Sequence, residues 1–118
     1  MHRLRLRRDF LAAAQGTSCA LPGVVVQMRA RGDQDAARVG FTVTKKLGNA
    51  VIRNRIRRRL RAAAALALPG LALDGHDYVL IGRQGTITRD FDALKGDLAS
   101  ALQRFHRGNG RRDDTEHS

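Results

Sequence analysis

Arg53, Asn54, Arg55, Arg57, Arg58, Arg59 and Arg61 crowd into one short stretch, VIRNRIRRRLR. Guanidiniums this close repel one another unless something acidic offsets the charge. The chemistry open to them is polyanion binding, because the planar fork pairs bidentately with phosphate and stacks on flat bases. Nothing acidic occurs between Asp35 and Asp74, and Lys45 and Lys46 fall in the same gap. Arg3, Arg5, Arg7 and Arg8 open the chain with a second basic group. Over 118 residues, 22 lysines and arginines face 11 acids, a net charge of +11. Such asymmetry points to a polyanion partner, and the arginine-rich stretch to a nucleic acid.

Hydrolysis by the chain itself needs other groups, and they are poorly assembled. Metal-assisted phosphodiester cleavage calls for clustered carboxylates. Asp33 and Asp35 fall in a polar turn, Asp90 and Asp92 at a helix start, and Asp113, Asp114 and Glu116 near the C-terminus. His2, His76, His106 and His117 are scattered. His76-Asp77 could form an acid–base pair, but its place beside PGLALDGH reads as a solvated loop. Cys19 is the lone cysteine, so neither an internal disulfide nor a zinc site is expected. We expect no catalytic residue, no metal site in this chain, and a reduced, cytoplasmic setting. No apolar run approaches the ~18 residues of a membrane helix, so no membrane partner is expected.

The elements that would position the arginines follow from hydrophobic spacing. Residues 1–8 read as a basic arm, and a short helix is expected from Asp9 to Gln15, stopped by Gly16. Leu21 to Met28 reads as a valine-rich strand. Arg38 to Thr44 alternates Val39, Phe41 and Val43 with small or hydroxylated residues, the period of a half-buried strand. These two are expected to pair as a hairpin across ARGDQDAA. Gly48-Asn49 then breaks the strand, and Asn49 can cap a helix running from Ala50 to about Leu68. Ile52, Ile56, Leu60, Ala63 and Ala67 share roughly 80° of its circumference. Asn54, Arg57, Arg58 and Arg61 occupy the opposite side, so the basic run is the outer face of an amphipathic helix. Tyr78 to Ile81 reads as a buried strand and Gly82 to Thr86 as a turn. Thr88 or Asp90 caps a last helix to about Arg107. One domain over 1–107 is expected, with a disordered polar tail over 108–118. The order predicts an α+β fold, a small, mostly four-stranded sheet with helices packed on it.

Phe10, beside the basic arm, can serve as an apolar wall for a single strand. Thr42 and Thr44 could add hydroxyls to the same groove.

The block RVGFTVTKKLGNAVIRNRIRRRLR, residues 38–61, together with the early RRDF, resembles the protein subunit of bacterial ribonuclease P. The resemblance centres on Arg53-Asn54-Arg55 and extends in element order over about residues 3–107. It implies a two-layer α-β sandwich like a ribosomal-protein domain, with a left-handed βαβ crossover. It also implies a protein that binds ribonuclease P RNA and helps it remove the 5′ leader from precursor tRNA. The RNA subunit and Mg²⁺ would carry the hydrolysis, and no obligate protein partner is implied. Contact with the RNA subunit is expected from Lys45, Lys46, Arg53, Asn54, Arg55, Arg57, Arg58 and Arg61. The leader cleft is expected from Phe10, Val25, Gln27, Thr42 and Thr44. Two departures weaken that cleft: Ala13 and Ala14 stand where the family often has a second aromatic, and Gln27 where it has another. The competing reading is a ribosomal or translation-associated RNA-binding module, which would make no leader contact. A stand-alone nuclease would cleave without an RNA partner, and a DNA reader would prefer duplex DNA.

Overall fold

A computed structural model describes residues 1–117, with side chains over 1–107; the disordered polar tail expected over 108–118 falls beyond the residues whose side chains are described. The elements in chain order are β1 (His2–Arg3), α1 (Arg7–Ala14), β2 (Thr17–Leu21), β3 (Val24–Ala30), β4 (Arg38–Thr42), a single 3-10 turn (Lys45–Leu47), α2 (Ala50–Ala67), β5 (His76–Gly82), α3 (Gly85–Thr88) and α4 (Phe91–His117). They form an α+β fold around one five-stranded sheet of order β1-β4-β5-β3-β2.

The hairpin expected between the strands at 21–28 and 38–44 does not form. β5 lies between them, antiparallel to β3 and parallel to β4. The real hairpin is β2–β3, with Leu21 opposite Val24 across Pro22-Gly23. Because β4 and β5 are parallel neighbours, their connection must cross over the sheet, and α2 makes that crossover. The basic arm expected over 1–8 also enters the fold. His2 and Arg3 pair in parallel with Arg38 and Val39, Leu4 is buried, and α1 already begins at Arg7. Gly16 follows α1 for a packing reason: a Cβ there would collide with the Met28 carbonyl oxygen.

The period of the strands divides the core in two. Val24, Val26, Met28, Tyr78 and Leu80 face α2 and α4, where they meet Ile56, Leu60, Leu94, Leu98 and Leu102. Val79 points the other way, into a small second cluster with Leu4 and Ala13. Among the described residues α1 is the helix that covers this second face, and Val25, Gln27, Thr42 and Ile81 stay partly exposed on it.

A polar joint locks the far end of the sheet. Thr86 is wholly buried in α3, and its hydroxyl donates to the Gly23 carbonyl at 2.6 Å. Asp97 of α4 accepts from the Gly23 amide at 3.0 Å and from both Arg89 Nε and Nη2. The β2–β3 turn is thereby tied to both C-terminal helices.

Candidate RNA interface

Asn49 caps α2 as its sequence position implies, accepting from the Ile52 amide at 3.0 Å. Ile56, Leu60, Ala63 and Ala64 form the buried side of the helix; the expected Ile52 is exposed at its N-terminal end. On the outer side, Asn54, Arg57, Arg58 and Arg61 line one shallow concavity of about 760 Å³ together with Val51. Asn54 Oδ1 accepts from Arg57 Nη1 at 3.1 Å, which aims that guanidinium along the helix. Arg55 is exposed, as are Lys45 and Lys46 in the preceding 3-10 turn. Arg53 is half-buried, and its Nε is a buried donor with no partner among the described residues. Arg59 is structural: it donates to the carbonyls of Thr86 and Arg89.

The expected cleft residues come together on the opposite sheet face. Gly40, Val79 and Gln27 form one row across β4, β5 and β3; Thr42, Ile81 and Val25 form the next. The Phe10 ring lies over Gly40, so close that a Cβ there would stand 2.6 Å from two ring carbons. Val25, Gln27 and Thr42 are half-exposed beside it. Thr44 is exposed just past the end of β4 and before the 3-10 turn, at the rim rather than on the floor. Sequence reasoning missed Ile81, which packs on the same small cluster as Phe10. Its alternation with Val79 carried that signal, but only with β5 placed at the centre of the sheet.

Where this face reaches α1, it ends in a charged cluster. Asp77, expected in a solvated loop, is wholly buried at the start of β5. Arg31 Nη1 donates to its Oδ1 at 2.5 Å, and Arg38 reaches it through Nε and Nη2, both at 2.8 Å. Burial pushes the Asp77 carboxyl up, but the hydrogen bonds from Arg38 and Arg31 outweigh it and hold the group below the usual carboxylate range. Arg38 also contacts Asp9 of α1 at 3.4 Å, and Arg29 lies 3.8 Å from both Asp9 and Asp77. The cluster therefore clamps α1 to the sheet and fixes the mouth of the cleft.

The other candidates for chemistry are dispersed. His76 is held by Asp74, its Nδ1 2.9 Å from that carbonyl, and is not paired with Asp77 as acid and base. His106 Nε2 meets the Tyr78 hydroxyl at 2.9 Å, and burial, then the neighbouring His76, lowers its pKa. Cys19 is half-buried beside Arg104. Asp90 caps α4 through the Ala93 amide. Among the described residues no group of three metal-capable side chains is brought together. Asp9, Asp77 and Asp97 are engaged by arginines, so these side chains do not fit a Mg²⁺ cage. No described helix is long and apolar enough to cross a membrane.

Comparison with known proteins points to one family. The family model described as Ribonuclease P matches residues 1–106. The ribonuclease P protein component of Gluconacetobacter diazotrophicus is 53% identical over 104 residues, covering 87% of this chain and 90% of its own. That of Ruegeria pomeroyi is 51% identical over 106 residues, covering 87% and 85%. Among solved structures, the RNase P protein of Thermotoga maritima superposes with a TM-score of 0.72 at 35% identity, over 88% of this chain and 97% of that one. The Staphylococcus aureus RNase P protein gives 0.71 at 30% identity, over 87% and 94%.

Proposed function

The chain belongs to the ribonuclease P protein family, and from that premise we infer how its two faces serve a ribonucleoprotein that removes the 5′ leader from precursor tRNA. It works with ribonuclease P RNA as the protein component of that enzyme. The outer face of α2 binds the RNA subunit: Asn54, Arg57, Arg58 and Arg61 meet its phosphates and base edges, with Lys45, Lys46, Arg53 and Arg55 beside them. The open sheet face takes the single-stranded leader over Phe10, Val25, Gln27 and Thr42, with Thr44 at the rim.

Hydrolysis belongs to the RNA subunit, with Mg²⁺ held there. The carboxylates clustered on this chain are committed to ion pairs, as at Asp77 between Arg31 and Arg38. What the chain contributes is charge and position. Its cations offset phosphate repulsion between the RNA subunit and the precursor, which raises precursor affinity and lowers the Mg²⁺ concentration the reaction requires. Its reduced lone cysteine accords with action in the cytoplasm. The observation that carries the reading is the separation of two RNA-suited surfaces on opposite faces of one sheet.

The test is cleavage of a precursor tRNA at low Mg²⁺ by the protein, by a bacterial ribonuclease P RNA, and by both. Cleavage only by the pair, leaving a mature 5′ end, is expected. Cleavage by the protein alone would overturn the assignment of chemistry to the RNA. Tight RNA binding with no cleavage in any mixture would favour the ribosomal reading.

A further inference from the structure

β4 presents a second aromatic away from the leader cleft. Phe41 alternates with Gly40 and Thr42, so it faces the α2 side of the sheet, where it is only half-buried. It forms a wall of a pocket of about 350 Å³ whose other sides include Val39, Ala65 and Leu68, with Arg3 and Arg61 at its edges. The Arg61 guanidinium carbon stands 5.9 Å from the Phe41 ring centroid and that of Arg3 6.0 Å. Both distances are at the outer limit of a cation–π contact, so a better partner displaces them at little cost. No acidic residue lines the pocket. Two guanidiniums without a carboxylate ask for an anion, while the floor between them asks for a flat apolar body. A nucleotide supplies both in one unit.

We propose that this pocket holds one unpaired nucleotide of the ribonuclease P RNA subunit, its base against Phe41 and its flanking phosphates on Arg3 and Arg61. The source is the RNA subunit because Arg61 also lines the concavity of Asn54, Arg57 and Arg58. The two sites form one continuous surface, and the leader cleft lies on the other side of the sheet. The inference rests on the reading of α2 as the surface that meets the RNA subunit.

Two variants test it. Phe41→Leu removes the stacking ring but keeps an apolar side chain in place. Ala65→Leu fills the pocket from an exposed helical position, without touching the core. Base–aromatic stacking predicts binding to a transcribed bacterial ribonuclease P RNA weakened roughly 5- to 150-fold by Phe41→Leu. The slope of log affinity against log salt should not change, because lost stacking releases no counterion. Arg58→Ala, the control, should instead reduce that slope by about one phosphate contact. Probing with dimethyl sulfate and kethoxal should show one unpaired nucleotide shielded by the wild type and reactive with both variants, other protections being kept. If Phe41→Leu fails to fold, Ala65→Leu decides. Wild-type affinity and protections in the Ala65→Leu protein would overturn the pocket assignment alone. Shielding that appears only when precursor tRNA is added would overturn the choice of the RNA subunit. Failure of the wild type to bind this RNA would overturn the α2 reading as well.

Discussion

Replacing Gly40 with alanine tests how the proposed leader cleft is built. The added Cβ would stand 2.6 Å from Phe10 Cε1 and Cζ and 3.0 Å from Leu4 Cβ. Ordinary carbon contacts fall at about 3.5–4.0 Å, so the Phe10 ring must retreat by about 1 Å. It cannot do so freely, because Phe10 packs in the small cluster with Leu4, Ala13 and Val79, and α1 is clamped by Asp9. Overpacking of this kind costs ~1–3 kcal/mol. At about 4–8 °C per kcal/mol for a domain near this size, the melting temperature should fall by at least ~4 °C. Affinity for a precursor with a long leader should fall with it, while a precursor with a one-nucleotide leader should be bound nearly as well as before. A double-mutant cycle isolates the cause. In a Phe10→Ala background the alanine at 40 no longer meets the ring, so its cost should drop by more than half. Thermal unfolding of the four proteins measures this. Equal cost in both backgrounds, with leader-dependent affinity unchanged, would refute the seating of Phe10 on Gly40.

Asp77→Asn should be among the most damaging single changes, because it leaves Arg31 and Arg38 facing a buried neutral group. A loss of ~3 kcal/mol is expected in urea unfolding, and a loss under 1 kcal/mol would show that Asp33 and Asp9 suffice as their partners. The same carboxyl sets an acid limit. Its folded pKa lies below the usual range, so the unfolded chain takes up its proton first as pH falls. The stability that Asp77 contributes is full above an unfolded pKa of about 3.9 and lost as pH falls from there through the folded value. Unfolding measured from pH 6 to pH 2 should steepen below about pH 4 in the wild type and less so in Asp77→Asn. Asn49→Ala removes the cap on the Ile52 amide and should cost ~1 kcal/mol in thermal unfolding; no change would mean that solvent satisfies that amide equally well.

The basic helix was legible because its signals are local. Asn49, the Ile56–Leu60–Ala63 spacing and the unbroken run of arginines all lie within α2, and its bounds fall within one residue of those expected. Strand β4 announced itself by alternation. The partnering of strands did not, because β5 reaches the centre of the sheet from far along the chain and no short-range pattern encodes that choice. The Pro22-Gly23 pair was a turn signal overlooked in favour of the longer loop at 30–37. Asp77 was misread for a related reason: its partners Arg31 and Arg38 lie 46 and 39 positions away, so its neighbours in sequence said only that it was charged. Of the proposed leader cleft, Phe10, Thr42 and Thr44 were legible in the residues themselves and Val25 and Gln27 came from a resemblance; its floor of Val79 and Ile81 emerged only from the sheet order.

The central position of β5 also bears on how the chain is made. β3 and β4 leave the ribosome well before the strand that must separate them, with the arginine helix in between. Until β5 inserts, neither neighbour has its main partner, and α2 has no completed sheet on which to bury Ile56 and Leu60. Such non-local pairing slows folding. A partly made chain therefore carries its full complement of α2 cations on a helix without its support, attractive to any RNA but unable to hold one in register. A ligand that binds only the finished fold pulls this equilibrium forward. If the RNA subunit binds only that finished fold, as proposed, it lowers the population of the unfinished form at equilibrium without changing how fast β5 inserts.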